Sequence, residues 1–371
     1  MTSVVQLKEG LERRGHRAIV ITVDAPHSGE VEPTIYRFPS VPFNSENEWR
    51  LGLLSQRSVK RIVEKEQLDI VHTHTEFSIG WAAKRAAQAM RLPLIHTAHT
   101  LYEGYRHYLF LGRLLPASAV RKYLRLFLSG YDTLVCPSAK AQNYFKVVAP
   151  HTRTVVIANG VCRTRFQPSP VTREERERIR SRLGLQPSDK VVIYVGRMAK
   201  EKRALELLGI LIPLLQKQPD YKALFVGCGP ACEPMISVAK KNHVQKQVNL
   251  VGYVEWERIH QLYSIADLFV TASLSEVHPL TLIEASMCGL PIVARRDDSF
   301  ADLVIDGYNG YLVDSDQQIA DRLSEVLGEK SKLLWFSKNG LALADRFDAE
   351  GHVDKFESLY QEMMEAPAIR G

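Results

Sequence analysis

"DLFVTASLSEVHPLTLIEASMCGLPIVARR", residues 267–296, reads as strand, helix, strand. The run "DLFVTAS" (267–273) has the length and apolar character of a buried strand. "PLTLIEASMCG" carries Pro279 near its first turn and Gly289 just beyond its end, the punctuation of a short helix. "LPIVARR" (290–296) returns to an apolar strand. Strand, crossover helix and strand of this size form a parallel unit.

The same alternation runs outward in both directions. "KVVIYVGR" (190–197), "KALFVGCG" (222–229) and "QVNLVGYV" (247–254) precede it. An earlier series holds "RAIVIT" (17–22), "DIVHTHT" (69–75), "LPLIHTAHT" (92–100) and "TLVCPS" (133–138). Short apolar strands between amphipathic stretches imply parallel sheets covered by helices on both faces. The expected class is α/β, with two Rossmann-like domains facing a cleft. The expected bounds are 1–167 for the first domain, 168–189 for a polar linker, 190–350 for the second domain and 351–371 for a final helix. The first domain opens on "TSVVQLKEGLERRGH", a helical pattern, where a doubly wound domain begins with a strand and a ligand loop. Its first strand and loop are therefore expected to be missing.

Composition narrows the class. No apolar run approaches the roughly 20 residues that span a bilayer, and no basic-then-apolar secretory signal opens the sequence. The five cysteines are sparse and odd in number, which reads as reduced thiols in a cytoplasmic protein rather than a disulfide frame or a zinc site. Residues 1–170 carry 23 basic and 13 acidic side chains, the remainder 25 and 29. A basic first half suits an anionic partner. The stretch 104–131 has no acid and interleaves Arg106, Arg113, Arg121, Lys122 and Arg125 with Tyr, Leu and Phe. That pattern fits either a membrane interface or helices packed on their own core with the basic groups in water. No nucleic-acid-binding signature accompanies it, so nucleic acid is not an expected partner.

Glu276 and Glu284 have seven residues between them. Glu276 falls in the loop leaving the carboxyl end of a strand, where open parallel sheets bind ligands. Were the segment helical throughout, the pair would stand about 12 Å apart, the reach from a ribose to a sugar held on a diphosphate. The plain alternative is one acid near a helix cap and one on the surface. "YVGRMAKEKRALELL" (194–208) ends a strand in Gly196 and follows with Arg197 and Lys202, which suits a diphosphate or a solvated basic loop. "VGCGP" (226–230), with Gly227, is a weaker glycine signal. His96 with His99, and "HTH" (72–74), lack the carboxylates or cysteines of a metal site, and Asp314-Ser-Asp316 reads as a polar loop. No metal ligand is assigned. A divalent ion is possible but nothing indicates it.

Taken in order, G-R-x-x-x-E-K, V-G-x-G, V-G-Y-V and S-E-x7-E-A-x-x-x-G-x-P-I-V-A resemble the second domain of retaining glycosyltransferases of family 4, which have the GT-B fold. "HTHTEFSIG" and "AHTLYEGYRHY" resemble stretches of the bacterial diacylglycerol glucosyltransferases within that family. The resemblance implies a hexose, expected to be glucose, moved from a nucleotide diphosphate sugar such as UDP-glucose to a lipid acceptor such as diacylglycerol. No cofactor is required. It implies an acceptor-binding first domain, a nucleotide-sugar-binding second domain and a final helix that crosses back to the first. It implies that Arg197 and Lys202 hold the donor diphosphate, that Glu276 contacts the sugar and Glu284 the ribose, and that His99 lies against the sugar; His99, Glu276, Arg197 and Lys202 are the expected catalytic residues. Gly196, Gly227, Val251, Leu280 and Thr281 complete the expected donor site. His74, Tyr102, Arg113, Arg121, Lys122 and Arg125 are expected on the acceptor or membrane side, in a cytoplasmic protein peripheral to the inner face of the plasma membrane. Two positions depart from the family: Pro279 stands where glycine is common, and Cys162 where aspartate is usual. The alternatives are a soluble or polysaccharide acceptor, an epimerase of the same fold, and a non-catalytic sugar-nucleotide binder.

Overall fold

The computed structural model describes residues 2–24, 32–42, 50–102, 116–168 and 171–365. The chain divides into two compact units, Met1–Asn159 with Ala349–Gly371, and Gly160–Asp348.

In the first unit, α1 (Thr2–Arg13) precedes β1 (Val20–Val23), β2 (Ile35–Phe38), β3 (Ser40–Pro42) and β4 (Arg50–Gly52). Then come α2 (Gln56–Glu66), β5 (Val71–Thr73), α3 (Ser78–Met90), β6 (Leu94–Thr97), α4 (Ala117–Leu128), β7 (Thr133–Cys136), α5 (Ala139–Val148) and β8 (Arg153–Val156). β5, β6, β7 and β8 form a parallel sheet in that order, β1 and β2 a parallel pair, and β3 and β4 an antiparallel one. β6 and β7 are buried at every position, as strands covered on both faces must be.

The second unit holds α6 (Arg173–Arg182), β9 (Lys190–Val195), α7 (Ala204–Lys217), β10 (Tyr221–Val226), α8 (Cys232–Lys241), β11 (Val248–Gly252) and α9 (Ile259–Tyr263). β12 (Leu268–Thr271), α10 (Leu280–Met287), β13 (Ile292–Arg295), β14 (Gly310–Val313), α11 (Asp316–Gly328) and α12 (Lys330–Ala344) follow. Its six strands are all parallel, in the order β11-β10-β9-β12-β13-β14. This is the doubly wound arrangement, whose winding reverses between β9 and β12. Leu207, Leu208 and Leu211 of α7 pack with Val192, Val270 and Leu323 in the core.

Two boundaries differ from those read in the sequence. Residues 160–167 lie in the second unit because Phe166 is fully buried beside the rings of Trp256 and Tyr263. Residues 168–189, expected as a linker, also belong there. Val171 and Leu185 are buried, and Arg180 of the charged helix α6 donates to the carbonyls of Ile265, Gln186 and Asp189. The last helix, α13 (Ala349–Glu365), is part of the first unit. It lies so close to α1 that a Cβ at Gly10 would come within 2.3 Å of a Val353 methyl. Arg14 bonds Glu357 and Asp354 across that seam, and Arg13 bonds Glu350.

Candidate active site

In a doubly wound sheet the ligand crevice lies at the carboxyl ends of the strands that flank the reversal. Here those strands are β9 and β12, and the loops leaving them carry the sequence motifs. The β9 loop runs from Gly196 through a 3-10 turn at Lys200–Lys202, and the β12 loop through Ser273, Ser275 and Glu276.

The two loops are latched together by side chains. Lys202 Nζ donates to both Glu276 oxygens, at 2.7 and 2.8 Å, and the Ser273 hydroxyl donates to Glu276 Oε1 at 2.7 Å. The Ser275 hydroxyl reaches the Glu201 carbonyl at 2.9 Å. Lys202 and Glu276 keep part of their surface open, 20% and 16%, so a ligand can still reach both. Arg197 lies in the same loop, 3.9 Å from a Glu201 oxygen, with its pKa depressed by burial. Behind the latch, Arg203 forks onto Asp316 at 3.1 and 2.6 Å, and Arg295 adds a third bond to that carboxylate. Asp314-Ser-Asp316 is thus the start of α11, with Ser315 and Gln318 forming a capping box.

The glycines after β10 serve backbone packing. Gly227 has φ +131°, and a Cβ there would stand 2.0 Å from the Gly196 carbonyl oxygen. Its amide donates to the Gly252 carbonyl at 2.8 Å, so that N–H is already engaged. Met198 N donates to Cys228 O at 2.9 Å, which docks the β9 loop on the β10 loop. Val251 is half-buried in β11.

Pro279 is the N-cap of α10 and provides no side-chain cap, while Leu280 and Thr281 open the first turn. First-turn amides have no acceptor inside their helix. Glu276 lies outside the helix, so the spacing of a continuous helix does not apply to the two glutamates. Glu284 is no surface acid: it is 3% exposed. Trp256 Nε1 and the Tyr263 hydroxyl each donate to one of its oxygens at 2.9 Å. Burial raises its pKa, and these two bonds oppose the rise. The Arg165 guanidinium lies 4.0 Å from the Trp256 ring centre, a cation–π contact. Ser273, Trp256 and Tyr263 escaped the sequence reading. "VGYVEW" held the only signal, a tryptophan soon after a strand end.

In the first unit, the β5 and β6 edges bring His74 and His99 together, Nδ1 to Nε2 at 2.9 Å. One ring donates and the other accepts, so the bond requires an unprotonated nitrogen. Burial pushes His99 down to about 4 and takes His74 well below its ordinary value. His72 and His96 are satisfied within the fold, by Tyr360 and Thr97 and by Thr73 and Glu76. Among the described residues no group of three or more His, Cys, Asp or Glu side chains could hold a metal ion. Tyr102 donates to Glu76 Oε2 at 2.5 Å. On α4, Val120, Leu124, Phe127 and Leu128 are buried, while Arg121, Lys122, Arg125 and the 63%-exposed Leu126 share the outer face. Arg125 Nε also donates to the Val148 carbonyl at the end of α5. Arg106 and Arg113 lie outside the described residues. Among the described residues no helix is long and apolar enough to cross a membrane.

The lowered histidine values give a pH prediction. Unfolded, His99 titrates near 6.5; folded, near 4. Between those values the unfolded chain binds more protons, so the contribution is whole above pH 6.5 and is lost as pH falls toward 4. Urea midpoints at pH 7 and pH 5 should show the loss, and His99→Gln should reduce the difference.

Residues 2–165 match the family model "Glycosyltransferase Family 4", and residues 175–342 match "Glycosyl transferases group 1". An alpha-monoglucosyldiacylglycerol synthase of Acholeplasma laidlawii is 30% identical over 98% of this chain and 94% of its own length. The Streptococcus pneumoniae protein of the same name is 30% identical over 88% and 74%. Anabaena HepE, crystallised with UDP and glucose, superposes with a TM-score of 0.76 at 20% identity, covering 97% of this chain and 96% of its own. With its doubly wound second unit and matches along almost its whole length, this chain belongs to the family 4, group 1 glycosyltransferases of the GT-B fold.

Proposed function

We propose that this enzyme moves glucose from UDP-glucose to diacylglycerol with retention of configuration, working as a peripheral protein on an anionic membrane surface. The Lys202–Glu276 latch carries the donor half of this reading, because it sets a cation and a hydroxyl-binding carboxylate side by side at the switch point. Arg197 and Lys202 hold the diphosphate and stabilise the charge that grows as it departs. Glu276 orients the sugar hydroxyls. Glu284 takes the ribose through lone pairs that Trp256 and Tyr263 leave over. The Leu280 and Thr281 amides face the donor, and Gly196, Gly227 and Val251 shape its bed. The bond from the anomeric carbon to the phosphate oxygen breaks, and the acceptor oxygen bonds that carbon from the same face. The acceptor's proton passes to the leaving phosphate. With two cations on the diphosphate, no divalent ion is required.

The acceptor half rests on the likeness to the alpha-monoglucosyldiacylglycerol synthases and on the outer face of α4, which joins three basic groups to Leu126. His99 lies against the sugar and the acceptor side, with His74 beside it, both as neutral imidazoles. The test supplies UDP-glucose and diacylglycerol vesicles to the purified chain and analyses the lipid product by proton NMR. An α-anomeric glucosyl lipid is expected. Transfer only to a soluble acceptor, or UDP binding without turnover on any acceptor, would overturn the reading.

A further inference from the structure

The carboxylate of Glu76 is 3% exposed and sits in the loop between β5 and α3 of the first unit. Two side chains meet the carboxylate, and a third meets the Glu76 main chain. His96 Nε2, from β6, stands 3.2 Å from Oε1, and the Tyr102 hydroxyl 2.5 Å from Oε2. The Tyr123 hydroxyl, from α4, donates to the Glu76 backbone carbonyl at 2.5 Å and accepts from Trp81 Nε1 of α3 at 3.1 Å.

The hydrogens of this cluster can be assigned by what each atom is able to do. A carboxylate only accepts, so His96 Nε2 carries a hydrogen. In a neutral ring Nδ1 then accepts, from the Thr73 hydroxyl at 2.8 Å. The Thr73 hydroxyl also reaches the Ile95 carbonyl at 3.4 Å and the Tyr131 hydroxyl at 3.0 Å. The chain of bonds through Tyr131, Thr73 and His96 ends on Glu76, and Tyr102 meets the carboxylate at its other oxygen. Among the residues of this cluster only a carboxylate can end both donors. A buried network of this kind is stiff when complete and costly when one acceptor is removed.

The elements that Glu76 joins are those with which the first unit would receive a lipid. β6 leads through Ala98 to His99, Tyr102 follows three residues later, and α4 carries the basic outer face. We propose that Glu76 is a positioning residue, which fixes α4 and the 98–102 segment in one arrangement so that an acceptor docked at α4 is presented to the His74–His99 edge. This deepens the acceptor reading given above and rests on it.

The test uses the full chain with Glu76→Gln and Tyr102→Phe. Glutamine keeps the volume but offers one acceptor where two donors point. Transfer rates are measured by varying diacylglycerol in phosphatidylglycerol vesicles and UDP-glucose separately, with UDP affinity from calorimetry. Both variants are expected to raise the KM for diacylglycerol about ten-fold, the order produced by small misplacement of a bound reactant, while UDP affinity stays within about two-fold of wild type. Hydrogen exchange should quicken in 98–102 and 117–128 and stay unchanged in the second unit. Wild-type KM with wild-type exchange would overturn the proposal. So would an equal loss of UDP affinity, the mark of a general folding defect. If the wild type makes no glycolipid, the acceptor reading fails, and the exchange experiment still decides whether Glu76 couples these segments.

Discussion

Replacing Lys202 by alanine is expected to lower kcat/KM for glucosyl transfer by about 10²–10³-fold, the usual effect of deleting one group that stabilises developing negative charge. Glu276→Ala should fall in the same range. Each group has the other as a bonded partner, so each single variant also disturbs the group that remains. The pair should act as a unit, with the double variant little worse than the poorer single one. Because both side chains are mostly buried but keep part of their surface in water, stability should fall by about 1–2 kcal/mol. Activity and denaturation measured on the same preparations separate the two effects. A large loss of stability with unchanged kcat/KM would reduce the latch to a structural contact.

Glu284→Ala should do the opposite and strike the fold. It would leave the part-buried Trp256 N–H without its acceptor and the Tyr263 hydroxyl with only its 3.3 Å bond to the Thr281 carbonyl. An orphaned donor costs about 1–3 kcal/mol, so a loss of about 1–3 kcal/mol is expected from urea unfolding. Glu284→Gln keeps the volume and one acceptor and should recover most of that stability. If Glu284 also takes the ribose, the glutamine variant will still bind UDP about ten-fold more weakly in calorimetry. Recovery of wild-type UDP affinity would assign Glu284 to the fold alone.

Much of this molecule could be read in its sequence because parallel strands buried on both faces are continuous apolar runs. "KVVIYV" and "TLVC" declare themselves. β8, "RTVV", did not, because its ends are exposed and it is an edge strand. Helix α6 reads as solvated charge, and only its contacts reveal the arginine that anchors it. At the site, Lys202 and Glu276 were visible as residues of the right chemistry, but their mutual bond spans 74 positions and has no local signature. Glu284 shows the limit most clearly. Spacing placed it on a helix, yet its burial depends on Trp256 and Tyr263, 28 and 21 residues away.

The most direct test of a lipid-directed glucosyltransferase is the initial rate of transfer from UDP-glucose to diacylglycerol as the phosphatidylglycerol fraction of the vesicles rises. The wild type is compared with an Arg121→Glu/Lys122→Glu variant. Basic groups near an anionic surface contribute about 1 kcal/mol each. The rate should climb with anionic lipid in the wild type and stay low in the variant. Equal rates on neutral and anionic vesicles, unchanged by the charge reversal, would contradict the account.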